Sequence, residues 1–385
     1  MKTGCNASPS TRTGLEKIDA IVQLNVPFIP DAAYADFLAG LGEKVFALHF
    51  SLNHADLCDA RIRLRTVDEQ TVIALLGRLP GPRKYLLANG RFHPPRNYHS
   101  DGGLAWLVGR LEKFEAAGLL DGIIFSDAYM LLALSDAAPH LASRLEAVPS
   151  INFAIDSVPR LDATLAIVES SRFRLPGKIT LDRSVNRHPA ILSDLARAVR
   201  RRLPRVKLEL LVNEGCLAQC PFRSTHEALI AAANAGIDFD TFRLNRDLGC
   251  MRQLNQTPHL ILASPFIRPE DLGAYTGEAD IFKVCGRTLG RRFLMRAVGA
   301  YVRGRYQGNL TDLLDASNWL GERWEIPNQG LPEDFLETVT ACGGLCRDCR
   351  GCREMFRRTA RPRPFGLPEG ITTSSSAVEP PNRLP

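Results

Sequence analysis

Short apolar runs rich in β-branched residues recur along the chain, separated by longer stretches whose apolar positions repeat with helical spacing. The strand-like runs are IVQLNVPF (Ile21 to Phe28), VFALHFSL (Val45 to Leu52), KYLLANG (Lys84 to Gly90), GIIFSD (Gly122 to Asp127), PSINFAI (Pro149 to Ile155), KITLD (Lys178 to Asp182), KLELLVN (Lys207 to Asn213), HLILASPF (His259 to Phe266) and ADIFKVCG (Ala279 to Gly286). Between them, Val67 to Leu79, LAWLVGRLEKFEAAG, LDATLAIVESS and ILSDLARAVRRRL read as helices. Near-continuous apolar strands alternating with helices predict a parallel sheet covered on both faces. Eight or nine such units over about 270 residues suit a TIM-like β/α barrel better than an open doubly wound sheet. Neither G-x-G-x-x-G nor a P-loop is present to argue for the open sheet.

After Gly286 the pattern turns helical, in RFLMRAVGAYVRGRY and then LTDLLDASNWLGERW. A cysteine cluster follows, and then an aperiodic stretch rich in proline, serine and arginine. The expected organisation is a flexible tail over 1–16, a barrel catalytic domain over 17–286, a helical, cysteine-containing extension over 287–358 and a disordered tail over 359–385. In such a barrel, chemistry lies at the C-terminal ends of the strands. That rule selects Asn89, His93, Ser126, Asp127, Asn152, Asp182, Arg183, Asn213 and Glu214. Any one of these alone could be a turn or a helix cap. Their recurrence at strand after strand is what makes the set informative.

With 385 residues, 45% of them hydrophobic and 23% charged, the chain can bury a large core. No apolar run approaches the roughly 18–20 residues of a membrane helix, and the first residues hold no apolar signal segment. A cytoplasmic location is expected. The net charge of +6 gathers late, in GRRFLMR and in Arg347, Arg350, Arg353, Arg357, Arg358, Arg361 and Arg363. This reads as a solvated face or as a phosphate-contacting strip for RNA.

The ten cysteines change the picture most, because without an export signal they argue for metal or redox chemistry over disulfides. Cys342, Cys346, Cys349 and Cys352 spell C-x3-C-x2-C-x2-C, and four thiolates so close can wrap one metal or one cubane cluster. Gly343 and Gly344 let the chain turn tightly enough to aim them inward. A 4Fe-4S cluster and a structural zinc both suit the set. Its first three cysteines also match the radical S-adenosylmethionine spacing, but only about 36 residues follow, too few for the barrel that motif precedes. Cys216 and Cys220 form a second set at a strand end. Two ligands do not hold a cluster, and Cys250 and Cys285 are the remaining cysteines at or beyond that strand in the barrel. Cys5 lies in the tail and Cys58 far upstream. No G-x-S-x-G or H-E-x-x-H marks a peptidase, although Cys220 with His226 could form a Cys–His dyad.

VNEGCLAQCPFR, ILASPFIRPEDLGAY, DIFKVCGR and AYVRGRYQGNLTDLL together resemble the peptidase U32 family, also called collagenase-like or PrtC-like peptidases, over Leu208 to Leu314. The resemblance implies a barrel-like catalytic domain with cysteines near strand ends. It also admits iron–sulfur members that support oxygen-independent hydroxylation of the ubiquinone ring or of an RNA base, with prephenate as hydroxyl source. By that resemblance Cys216 and Cys220 match the family's cysteines after the barrel strand, and Cys250 a later one. Many members read K-x-E-G-R where this chain has KVCGR, so Cys285 stands in place of a glutamate.

The leading expectation is an iron–sulfur oxidoreductase that hydroxylates a small molecule or an RNA base. Cys216, Cys220, Cys250 and Cys285 would hold one 4Fe-4S cluster, and the C-terminal quartet a second cluster or zinc. Arg183 and Arg223 would bind an acidic co-substrate through their guanidinium forks, with Glu214 and His226 as acid/base groups. The alternatives are a U32-type peptidase and a non-catalytic iron–sulfur or zinc subunit of a heteromer.

Overall fold

The computed structural model describes residues 22–364 except 53, 55, 56, 58, 62–67, 100, 101, 238, 239, 345, 347 and 348. The tail expected over 1–16, Cys5, Cys58, Arg347 and the stretch 365–385 lie outside the described residues. Eight parallel strands run in the order they occur around one sheet: β1 (Leu24–Pro27), β2 (Val45–Phe50), β3 (Arg83–Ala88), β4 (Gly122–Phe125), β5 (Glu146–Pro149), β6 (Lys178–Thr180), β7 (Lys207–Leu211) and β8 (Ile281–Lys283). The first and last pair in parallel, Leu24 against Phe282 and Asn25 against Lys283. Between β5 and β6 the ladder thins to a bridge of Glu146 with Arg174, whose backbone N–H donates to Leu145 at 2.9 Å while Ala147 donates to its carbonyl at 3.1 Å. The result is a nearly closed TIM-like α/β barrel.

Seven of the nine expected runs become strands where expected. PSINFAI does not: β5 starts earlier, at Glu146, and Ile151–Phe153 is a 3-10 turn. The early start makes sense physically, because the Glu146 carboxylate accepts from Tyr85 Oη at 3.0 Å, Arg83 Nη2 at 2.7 Å and Gly177 N at 2.9 Å. HLILASPF is corrected outright. Leu260–Ala263 is a helical turn, and the place beside β7 belongs to β8. LTDLLDASNWLGERW is likewise two 3-10 turns, Leu310–Asp312 and Asn318–Glu322. There Asn309 accepts from Ile326 N at 3.0 Å and donates to Trp324 O at 2.9 Å, a side-chain claim on the backbone that competes with helix.

The barrel interior is split. Ala47, Tyr85, Leu87, Ile124 and Val148 pack an apolar half on β2–β5. The other half is a buried polar network centred on Glu209, which takes Lys178 Nζ at 2.9 Å, Thr180 Oγ1 at 2.7 Å and Asn25 Nδ2 at 2.7 Å. His49 Nδ1 adds to it at 2.9 Å from Asn25 Oδ1. Outside the sheet, helices such as Gly103–Ala116, Val158–Glu169 and Pro189–Arg202 bury one apolar face against the strands. Helix Gly290–Arg303 does the same through Phe293, Leu294, Ala297 and Tyr301, so the barrel's last helix lies beyond the boundary expected at Gly286.

A second apolar core sits over the mouth. It joins Leu217, Leu254, Ile261, Leu262 and Phe266 to Leu310, Leu314, Ile326, Phe335 and Phe356, drawing on both sides of Gly286. Trp324 packs edge-on against Phe356 at 4.9 Å. The strand pair β9 (Trp324–Glu325) and β10 (Arg361–Pro362) closes this layer, so the chain stays paired a short way into the stretch expected as a tail.

Candidate active site and thiol centres at the barrel mouth

β7 ends at Leu211, and the chain then crosses the open end of the barrel as Val212-Asn213-Glu214-Gly215-Cys216. Asn213 fixes the crossing by donating to Cys285 O at 2.9 Å and Leu313 O at 3.0 Å and accepting from Cys285 N at 2.7 Å. Gly215 is required for the close approach: a Cβ there would run into Ser317 Oγ. Glu214 is therefore held facing the mouth, buried, between Arg61 Nη2 at 3.1 Å and the Arg183 guanidinium. Arg61 also binds Asp315 at 2.6 Å. Burial works to raise the Glu214 pKa, but the Arg183, Arg61 and Arg223 cations outweigh it and hold the carboxyl below its usual range.

Arg183 and Arg223 are both at the mouth but engaged. Arg223 binds Asp182, Glu227 at 3.0 Å and the Ile151 carbonyl at 2.7 Å. Burial opposes the charge on Arg183, yet Glu214, with Cys216 and Asp182, holds its pKa above the ordinary value. Their acceptors are protein carboxylates, so an acidic co-substrate would have to compete for them. His226 does not share the main cavity with Arg223, as the helix start had suggested. It lines a separate cavity of about 200 Å³, and its Nε2 lies 3.2 Å from Asn245 Nδ2. Burial and Arg61 hold its pKa down.

The first thiol set gathers in part. Cys220 acts electrostatically on both Cys216 and Cys250, and Cys220 and Cys250 border the second core. Burial, reinforced by the Glu214 carboxylate, pushes the Cys216 thiol well above its normal range. Asn245 ties this set to His226, since its Oδ1 lies 3.9 Å from Cys250 Sγ. Cys285 stands with other neighbours: after burial, Asp315 and Glu214 raise its thiol pKa further.

The quartet lies across a cavity of about 600 Å³ that Cys220, Cys342, Cys346, Cys349 and Cys352 all line, together with Asp182, Arg183, Arg187 and Arg223. Burial raises the Cys352 thiol to about 11, and the other three cysteines add to the rise, as expected for thiols sharing one small space. Two sulfurs already accept backbone N–H groups, Cys342 from Gly344 and Cys349 from Gly351, both at 3.4 Å. Gly344 has φ +74, the left-handed turn that glycine permits. N–H···S bonds of this kind stabilise bound thiolates, and the donor set suits zinc or an iron–sulfur cluster. As they stand, among the described residues no three His, Cys, Asp or Glu side chains are arranged to hold a metal ion.

A third constellation closes the other side. Asp127, which also caps helix Ala128–Ala137, accepts from His93 Nδ1 at 3.2 Å and Tyr98 Oη at 2.6 Å. His93 is 1% exposed and its Nε2 has no hydrogen-bond partner. Of the late arginines, Arg357 and Arg358 both bind Glu354, which partly neutralises the strip. Among the described residues no helix is long and apolar enough to cross a membrane.

No family model matches the chain. An uncharacterized protease of Methanocaldococcus jannaschii is 33% identical over 258 residues, covering 66% of this chain and 70% of that protein. The chain belongs to the peptidase U32 family. A solved U32 peptidase is also similar, with a TM-score of 0.46 and 17% identity over 72% of this chain and 98% of its own. In this U32 chain, Arg61, Asp315, Arg187 and Asn245 complete the mouth and were not legible in the motifs. Arg61 and Asp315 lie outside the strand ends that the barrel rule inspects. Arg187 could have been suspected, as the second arginine of RSVNR directly after the Asp182 strand end.

Proposed function

We propose that this U32 protein is a thiolate-metal oxidoreductase whose substrate enters the 600 Å³ cavity between the barrel mouth and the C-terminal quartet. The observation carrying this reading is that Cys220 and all four quartet cysteines open into one cavity beside Arg183, Arg187 and Arg223. Cys342, Cys346, Cys349 and Cys352 would hold a 4Fe-4S cluster or zinc, and Cys216, Cys220 and Cys250 would supply ligands to a second centre. A bound iron–sulfur cluster supplies one-electron chemistry, which an oxygen-independent hydroxylation requires. The chain's own groups orient the substrate: Arg183 and Arg223 can exchange their carboxylate partners for an acidic co-substrate. Glu214, held ionised, is positioned to accept a proton at the mouth. Anaerobic purification with iron and sulfide counting tests the reading. Iron in the wild type, lost in part in Cys220→Ser and in part in Cys349→Ser, is the expected result. A colourless, iron-free protein with the cavity intact would sink it.

Hydrolysis is the second reading, since the relative is described as a protease. His226 does not serve it, because its Nε2 faces Asn245. The His93–Asp127 pair could, as an oriented base with a free Nε2. If the chain is a peptidase, His93→Ala should lower cleavage of a fluorogenic peptide by about 10²–10⁴-fold. Peptide cleavage unaffected by His93→Ala, or none in the wild type, removes this reading.

A further inference from the structure

Arg187 is buried in an unusual way. Its Nη2 donates to Ser264 O at 2.6 Å, while Nε and Nη1, both buried, make no hydrogen bond of good geometry and have the Tyr275 hydroxyl as their polar neighbour. Phe266 and Phe335 cover the guanidinium at 5.2 and 5.7 Å from their ring centres. Asp271, a carboxylate that acts on it electrostatically, is already held bidentately by Arg268 at 2.8 Å. A buried cation without a carboxylate of its own is costly, and the one carbonyl and two aromatic rings around it compensate the charge only in part. Arg187 also lines the cavity of the quartet, and Cys352 lies within its electrostatic reach.

Four thiolates around a divalent metal, or around an oxidised 4Fe-4S core, form a dianion, and reduction of the core adds a further negative charge. We propose that Arg187 is the built-in counter-cation of an anionic tetrathiolate centre at Cys342, Cys346, Cys349 and Cys352, with which it shares a cavity. The inference rests on the reading that the quartet binds metal. Arg187 touches no substrate in this account; it positions and stabilises the centre. A charge–charge contact of this kind favours the loaded state over the empty one, and the reduced centre over the oxidised one.

The two states separate this role from simple packing. If Arg187 only filled space, Arg187→Met would change stability equally with and without metal. As counter-cation, it should leave the metal-free protein as stable as the wild type or more so, because a charge compensated only in part is gone, while weakening the loaded protein. The full chain is titrated anaerobically with zinc alone, in a Cys216→Ser/Cys220→Ser/Cys250→Ser/Cys285→Ser background that leaves the quartet as the thiol set at the mouth. Wild-type Arg187 should bind with an affinity at least tenfold above Arg187→Met, with Arg187→Lys between them, since lysine keeps the charge and loses the fork. Denaturation of the same proteins without zinc supplies the second readout, and Arg187→Lys serves if the methionine variant does not fold. Zinc binding by Arg187 protein with no loss in either variant overturns the counter-cation role alone. No zinc binding in the Arg187 protein overturns both this inference and the metal reading of the quartet.

Discussion

Replacing Glu209 by glutamine is expected to destabilise the fold by about 3–5 kcal/mol, because it strips the counter-charge from a lysine sealed inside the barrel. Glu209 and Lys178 are both fully buried, and the Lys178 ammonium lies 2.9 Å from the carboxylate and 5.1 Å from the centre of the Tyr85 ring. Lys283, also buried, approaches the same carboxylate at 3.8 Å. Glutamine keeps the shape and can still accept from Thr180, so the loss isolates charge from packing. The triple change Lys178→Met/Glu209→Leu/Lys283→Met should recover most of the loss, since it removes both lysines that face the carboxylate and a buried ionic group replaced by apolar ones of similar volume is often neutral.

The pH dependence of the same variant fixes the cause. Burial lowers the Lys178 pKa to about 8 against an ordinary 10.5, although Glu209 pulls the other way. Between those values the unfolded chain holds one proton more than the folded one, so this lysine makes stability rise with pH there. Without Glu209 the folded pKa falls further, and the rising arm starts at lower pH. The stability gap between wild type and Glu209→Gln should therefore narrow as pH climbs toward 8. Urea midpoints across that range check it, and a gap independent of pH would show that Lys178 is not the charge involved.

The polar half of this barrel shows why the architecture could be read from sequence more fully than its interior. β1–β4, β6, β7 and β8 are short apolar runs bounded by turn residues, and periodicity finds such runs reliably. KLELLVN hides Glu209 in the middle of one, where an isolated carboxylate is counted as a surface position although its partners come from β1, β6 and β8. HLILASPF failed for the complementary reason. A short apolar run does not distinguish a strand from a buried helical turn, and Ile261, Leu262 and Phe266 are buried in the second core. At the mouth, the strand-end rule selected Asp127, Asp182, Arg183 and Glu214, and Arg183 pairs there with Glu214. It could not supply Arg61, which meets Glu214, or Asp315, which meets Arg61, because these contacts arise only when two distant loops fold over the same opening.

Glu214 is where that convergence should be most costly to disturb. Glu214→Ala leaves the half-buried Arg183 without its carboxylate and Arg61 with Asp315 alone, a loss of about 2–3 kcal/mol once the partial exposure of both cations is allowed for. The sign of its pH dependence follows from its depressed pKa. Such a carboxyl contributes fully above the ordinary carboxylate value of 4.5 and loses that contribution as pH falls through its lower folded value. Glu214→Gln should thus flatten the acid side of the stability profile while lowering its neutral plateau. Glu214 also raises the Cys216 thiol, second only to burial, whereas Arg183 and Arg61 lower it. Removing the carboxylate leaves those cations facing the sulfur, so the metal-free variant should alkylate at Cys216 faster than wild type at the same mildly alkaline pH. Peptide mapping after iodoacetamide reads this directly. A slower or unchanged rate at Cys216, in protein whose melt confirms the fold, would mean that Glu214 governs the arginines alone and leaves the thiol to burial.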